Sequence, residues 1–291
     1  MTFTYAEFTT RNLGFVTQTE QARLRDACIF VCGTGGMGGA AIQSLIRAGV
    51  GQLILADLDA FEVSNLNRQV FCTLDRVDQD KAEATRDQCL RINPQAEIEV
   101  LDGRWSDEAE RLVKRADVVI NGTDDLGASL LLYRTAAAQR RAVIDAYAAP
   151  LPSVYVTRPS RPMPEERLGY PTIGTAWNAL SDGQRAEAFL AEATHVMLHS
   201  TSRHYIDLDL AGEVAAGRRS RMSFAPMVIS TGTLMAYEAL GLILDRPSVT
   251  DEAGWFFNPY TAKVEKPWPA PIAALLKPLV ARELKRMMGD A

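Results

Sequence analysis

Gly33, Gly35, Gly36 and Gly38 stand between a short apolar run, 28–32, and a stretch with helical spacing. Glycines placed this way let bare backbone approach a ligand's phosphates, and the helix behind them turns its positive N-terminus toward the same point. A second apolar run then ends on Asp57 and Asp59. Asp57 lies about 20 residues past the turn, where a carboxylate at a strand end grips ribose hydroxyls. The chemistry on offer is nucleotide binding, and read alone the glycines fit NAD as well as ATP. Three further groups follow: SNLNRQ at 64–69, DQDK ending on Lys81, and GTDD at 122–125.

These residues need a scaffold, and the hydrophobic pattern supplies one. Residues 28–59 read as strand, glycine turn, helix and strand. After a loop at 60–80 the spacing predicts a helix at 81–91, a strand at 96–101 and a helix capped by Ser106 that runs to 115. DVVIN at 117–121 has the unbroken apolar character of a buried parallel strand. A helix at 126–140 and a strand at 142–145 come next. Strands alternating with helices imply an α/β fold with a doubly wound, Rossmann-like, mostly parallel sheet and helices on both faces. Residues 1–27 read as a helical arm ahead of the nucleotide-binding half, 28–150. The segment 151–225 is proline-rich at its start, with one strand at 153–157 and a helix at 182–198. Residues 226–291 begin with a long apolar helix carrying Pro226 in its first turn, then a strand pair within 255–264 and an amphipathic helix at 271–288. One continuous domain is expected.

Composition narrows the function. A formal charge of -5 over 291 residues, with no dense Lys/Arg stripe, argues against direct DNA binding. The cluster RRSR at 218–221 is too short to change that, and reads as charged surface or as steering for an anionic substrate. The first residues lack a basic start followed by an apolar run, and no uninterrupted apolar segment long enough for a bilayer is evident, so a soluble cytoplasmic protein with no membrane partner is expected. The four cysteines, Cys28, Cys32, Cys72 and Cys89, all fall in the first third and form no CxxC pair. A disulfide framework and a structural zinc site are therefore not expected.

The ordered combination GxGGxG, DxD, SNLNRQ, Lys81 and GTDD resembles the ThiF/MoeB family, which includes the ubiquitin-activating enzymes. The similarity covers residues 10–150 and resumes with SFAPMVISTGTLMAYEAL, which looks like that family's returning helix. The resemblance implies ATP and Mg²⁺ as cofactors and adenylation of a carboxylate, with release of pyrophosphate. Charge then builds on phosphate oxygens, and the site needs cations and a metal. By resemblance, Arg68 and Lys81 supply the fixed positive charge, Asp124 holds Mg²⁺, and Asn65 bonds phosphate or helps hold the metal. Asp59 either binds metal or caps its loop. The family also uses an N-terminal arginine from a partner subunit. Arg11 is the candidate here, and it would require a homodimer.

Departures from the family matter as much. The zinc-binding CxxC pairs are absent, and the crossover at 151–221 contains no cysteine, so a thioester or persulfide step there is excluded. Cys72 reads as structure. The expected substrate is the C-terminus of a small ubiquitin-like or sulfur-carrier protein or of a peptide, with a small-molecule acid or a tRNA-borne group as alternatives. A non-catalytic half of a heterodimeric activating enzyme is a further reading. His195, His199 and His204 lie in HVMLHSTSRH; the first two share a helical face and could bind a metal, but the glutamate of HExxH is absent, and solvated or hydrogen-bonded imidazoles are expected.

Overall fold

The computed structural model describes residues 2–215 and 217–288. Eight strands form one sheet: β1 (Cys28–Cys32), β2 (Gln52–Ala56), β3 (Glu97–Leu101), β4 (Val118–Asn121), β5 (Ala142–Asp145), β6 (Ser153–Thr157), β7 (Trp255–Asn258) and β8 (Lys263–Glu265). Their order is β3-β2-β1-β4-β5-β6-β7-β8. The first five are parallel, and β6, β7 and β8 extend the edge antiparallel. Along the chain the helices are α1 (Tyr5–Phe8), α2 (Gln18–Asp26), α3 (Gly36–Ala48), α4 (Lys81–Ile92), α5 (Ala109–Arg115), α6 (Leu126–Ala138), α7 (Pro164–Leu168), α8 (Asp182–His199), α9 (Leu208–Ala215), α10 (Ala225–Ile243) and α11 (Ala270–Met288).

Side chains alternate across the sheet, as the pleat demands. Ile29 and Val31 pack with α3, α4 and α10 in one core, while Phe30 packs with Trp105, α5 and α6 in the other. Each fully buried apolar side chain of β1 contributes roughly 1.5–3 kcal/mol over its exposed state. Because β1 is covered on both faces, it carries no polar residue. α10 crosses α3 closely: a Cβ on Gly232 would stand 2.3 Å from the Met37 carbonyl. Contrary to the sequence expectation, α10 is long and apolar enough to cross a bilayer by length and composition. Its packing on α3 and the first core accounts for that apolarity.

Two local expectations change. Ser106 does not cap α5; the turn at Gly103–Glu108 is a 3₁₀ helix capped by Asp102, and α5 starts after it. The polar stretch before Arg221 contains α9. The strand pair and the C-terminal helix lie where the pattern put them.

Candidate nucleotide site

Strand order reverses at β1, whose neighbours β2 and β4 lead to opposite edges. In open α/β sheets a crevice forms at such a fork, beyond the carboxyl ends of the strands. The glycine turn leaves β1 into that crevice, and Gly122–Asp125 leaves β4 beside it. The two turns touch through backbone. Gly33 takes φ +89°, and a Cβ there would lie 2.4 Å from the Gly122 carbonyl carbon. A Cβ on Gly38 would lie 1.9 Å from the Gly33 carbonyl oxygen, and one on Gly36 would strike Val228 of α10. Gly35, the N-cap of α3, differs: its nearest neighbour would be the Gln69 amide at 3.5 Å. Packing therefore explains three glycines, and Gly35 leaves room against the helix N-terminus that the protein itself does not need. That room suits phosphate oxygens.

Asp57 closes β2 and ties the turn down. Its Oδ2 accepts from the Thr34 amide at 2.7 Å and the Thr34 hydroxyl at 2.9 Å, and its Oδ1 accepts from the Asp59 amide. The carboxylate fixes the loop through both of its oxygens. Lys81 is 7% exposed at the start of α4, and its Nζ donates to Asp59 Oδ2 at 2.8 Å. Asp59 is itself exposed, so the pair orients the ammonium more than it stabilises the fold. The stem of Arg68 borders Gly36, and its Nη1 donates to the Ser64 carbonyl and to Asn67 Oδ1. Burial raises the Cys72 thiol above its ordinary value, against the nearby charges of Lys81 and Arg68.

Asn65 departs from expectation. It is buried, its Oδ1 accepts from the Glu62 amide at 3.1 Å, and its Nδ2 donates to Ser64 Oγ at 3.3 Å. It holds the SNLNRQ turn together through both ends of its amide. Gln69 of the same turn lies closest to Gly35. Its amide faces Gly35, and its buried Oε1 has no hydrogen-bond partner.

Asp124 is exposed on the β4 turn and makes no hydrogen bond or ion pair with the described residues. Its neighbour Asp125 is committed elsewhere, capping α6 through the Ala128 amide and pairing with Arg185 at 2.9 Å. No group of three or more metal-ligating side chains occurs among the described residues. A Mg²⁺ held by one carboxylate plus phosphates has no need of one.

The turn carrying Asp124 rests on a buried network that the sequence did not reveal. Asn121 ends β4; its Oδ1 accepts from the Thr123 amide, and its Nδ2 donates to Ser129 and to Asp145 Oδ2 at 2.8 Å. Tyr133 and Tyr155 donate to the same Asp145 oxygen, each at 2.8 Å. Burial pushes the Asp145 carboxyl up to about 7, with those donors and the Ala146 amide pulling the other way. The unfolded chain releases this proton near pH 4. Below that pH both states hold it and the group costs nothing. Between about 4 and 7 only the native state holds it, so its contribution to stability falls as pH rises, by at most about 4 kcal/mol. Asp145→Asn is expected to flatten this slope in denaturant titrations at pH 5 and pH 8. An unaltered slope would show that Asp145 titrates normally.

Other expected residues lie apart. Arg11 sits in the turn at Thr10–Asn12, and Asn12 donates to the Ala48 carbonyl at the far end of α3. α3 has 13 residues, so Arg11 stands about 20 Å from its own glycine turn. His195 and His199 are buried rather than solvated, with ring centroids 4.4 Å apart. His204 lies in the following 3₁₀ turn, edge-on to Tyr205. Cys28, Cys32 and Cys89 are buried free thiols.

Residues 9–271 match the ThiF family. Over 114 residues the chain is 42% identical to a molybdopterin-synthase adenylyltransferase of Salmonella typhimurium, an overlap covering 39% of this chain and 45% of that protein. Over 107 residues it is 37% identical to a sulfur carrier protein ThiS adenylyltransferase of Escherichia coli, covering 36% of this chain and 43% of the relative. The chain thus spans somewhat under half the length of these curated relatives. Among solved structures it is similar to E. coli MccB with AMPCPP and MccA, with a TM-score of 0.64 and 17% identity over 89% of this chain and 71% of that one. E. coli tRNA N6-threonylcarbamoyladenosine dehydratase superposes with a TM-score of 0.59 and 17% identity over 82% of this chain and 95% of that one. At 17% identity these two establish a shared fold.

Proposed function

The chain belongs to the ThiF family, and from that premise we propose that it adenylates a carboxylate with ATP and Mg²⁺. A carboxylate oxygen attacks the α-phosphorus of ATP and forms a new P–O bond. The bond from that phosphorus to the α–β bridging oxygen breaks, and its electron pair leaves with pyrophosphate. The product is a mixed anhydride of AMP and the acid. Gly35 and the α3 N-terminus receive phosphate oxygens, and Lys81 and Arg68 offset the charge that builds on them. Asp57 takes the ribose, and Asp124 carries the Mg²⁺. The metal, when bound, withdraws charge from the phosphoryl oxygens.

One observation carries this reading. The glycine turn and the Asp124 turn touch at the fork of the sheet, and Asp124 has no bonding partner in the described protein. A carboxylate left free beside the glycine turn suits a metal–phosphate ligand. The adenylyltransferase names of the relatives support the same chemistry. The substrate we favour is the C-terminus of a small carrier protein or peptide. A hollow beside the crossover is lined by Arg185, Arg219 and Arg221, and Arg185 also bonds Asp125 next to the site. That placement favours an acidic substrate segment. A non-catalytic partner subunit is disfavoured, because Arg68, Lys81 and Asp124 would serve no purpose in it.

The test is trapping. With ATP, Mg²⁺, hydroxylamine and a panel of carrier and peptide C-termini, one class should yield a hydroxamate together with AMP and pyrophosphate. Formation of ADP, or of no adduct from any acid, would contradict the proposal.

Arg11 serves a second copy of the chain in this reading, since it lies too far from its own site. Exposed Phe15 (84% exposed) and Tyr237 (72%) give such a copy apolar surface to cover. Arg11→Ala and Asp124→Ala should each be inactive alone. Equal mixing after dissociation and reassociation should restore about one quarter of wild-type activity, because half the dimers are mixed and each holds one intact site. No recovery on mixing would show that Arg11 does not act in trans.

A further inference from the structure

Behind the antiparallel edge of the sheet, α7, α8 and α11 line a second cavity of about 260 Å³ that opens to solvent past Trp268 and Lys277. It lies on the face away from α3 and α10, beneath Tyr147, and not at the fork where the glycine turn sits. Its walls are mostly apolar, with Leu198 and Trp268 prominent. Its polar lining is Arg167, His195, His199, Thr194 and Lys277, with no carboxylate.

The polar groups are incompletely used. Arg167 donates from Nη2 to the Tyr147 hydroxyl at 2.7 Å, and its guanidinium lies 5.7 Å and 5.6 Å from the Tyr147 and Tyr155 ring centroids. Its Nε is buried without a partner, and so is Nε2 of His195, a residue only 8% exposed. His199 accepts the Trp268 amide on Nδ1 at 3.1 Å. As a neutral imidazole it therefore carries its proton on Nε2 as a donor. Both rings are neutral at pH 7: burial, reinforced by Arg167, pulls His195 down to about 2 and His199 to about 4. The fixed charge of the cavity is thus that of Arg167 and Lys277. Unpaired buried donors are costly, and a guanidinium among apolar walls attracts a compact anion.

We propose that this cavity is a binding site for a small monocarboxylate, its carboxylate on Arg167 and the His199 Nε2 donor and its apolar body against Leu198 and Trp268. The volume is below the roughly 300–1,000 Å³ of pockets for drug-sized ligands, so the body must be small. Phosphate suits the site less well, because a second negative charge would have to be desolvated against mostly apolar walls. The site goes beyond the adenylation reading and requires no ATP.

The experiment is isothermal titration of the full chain at pH 7.5 with benzoate, its neutral isostere benzamide, and inorganic phosphate. Benzoate should bind saturably, with benzamide and phosphate each weaker by about tenfold or more. Arg167→Met should abolish benzoate binding. Lys277 is exposed on α11, so Lys277→Glu should fold normally and weaken benzoate by about fivefold. Absence of saturable benzoate binding up to roughly 10 mM would overturn the proposal. So would equal binding of benzamide, tighter binding of phosphate, or unaltered binding by Lys277→Glu.

Discussion

Asp124→Ala is expected to lower carboxylate-dependent turnover by about 100- to 1,000-fold, the scale of losing one preorganised charge-stabilising group. The melting temperature should not move, because Asp124 bonds nothing in the described protein and lies exposed on its turn. Loss of activity without loss of stability separates a metal-holding role from a structural one. Asp125→Ala should show the opposite balance, since its carboxylate caps α6 and meets Arg185. Lys81→Ala belongs to the same test. Its ammonium is held by Asp59 and buried up to its tip, so removal takes away a positioned charge, and turnover should fall by about 100-fold. Steady-state kinetics with thermal melts on the three variants check the set. A stable Asp124→Ala enzyme with wild-type turnover would remove the metal from the scheme.

Gly38→Ala and Gly35→Ala should differ in kind. The first places a methyl group 1.9 Å from the Gly33 carbonyl oxygen, so backbone must shift in the turn itself. A cost of about 3 kcal/mol and loss of ATP binding are expected. The second meets no atom closer than 3.5 Å, so it should cost far less stability. Its methyl group occupies the space assigned to phosphate, and ATP affinity should fall by more than about tenfold. Melting with and without ATP reads both effects, because ligand stabilisation scales with the logarithm of affinity. A full ATP-induced shift in Gly35→Ala would show that phosphate does not enter there.

The parallel half of the fold is legible because its signals are local and periodic. Residues 28–59 spell strand, turn, helix and strand in order, and the structure follows them. Helices α7 and α9 are short and stand among prolines and polar residues, where propensity gives little signal. The pairing of β6 with β7 joins residues about 100 apart in the chain, which periodicity does not encode. At the site, residue types were easier to read than orientations. Asn65 was expected to bond phosphate or help hold the metal, and its Oδ1, the atom a metal would use, instead accepts the Glu62 amide of the same tight turn. Asp145 looked like an ordinary strand end, and only the fold brings Asn121, Tyr133 and Tyr155 onto one of its oxygens. His195 and His199 were expected to be solvated or hydrogen-bonded; α8 and α11 pack closely enough to bury them, and His199 is hydrogen-bonded to the Trp268 amide.

The most direct measurement is exchange of labelled pyrophosphate into ATP. A reversible attack on the α-phosphorus returns label to ATP only while a carboxylate occupies the site. The expected result is label in ATP with Mg²⁺ and the cognate acid, none without the acid, and none with Asp124→Ala. Bound ATP that never acquires label with any carboxylate, or cleavage to ADP and phosphate, would contradict the account.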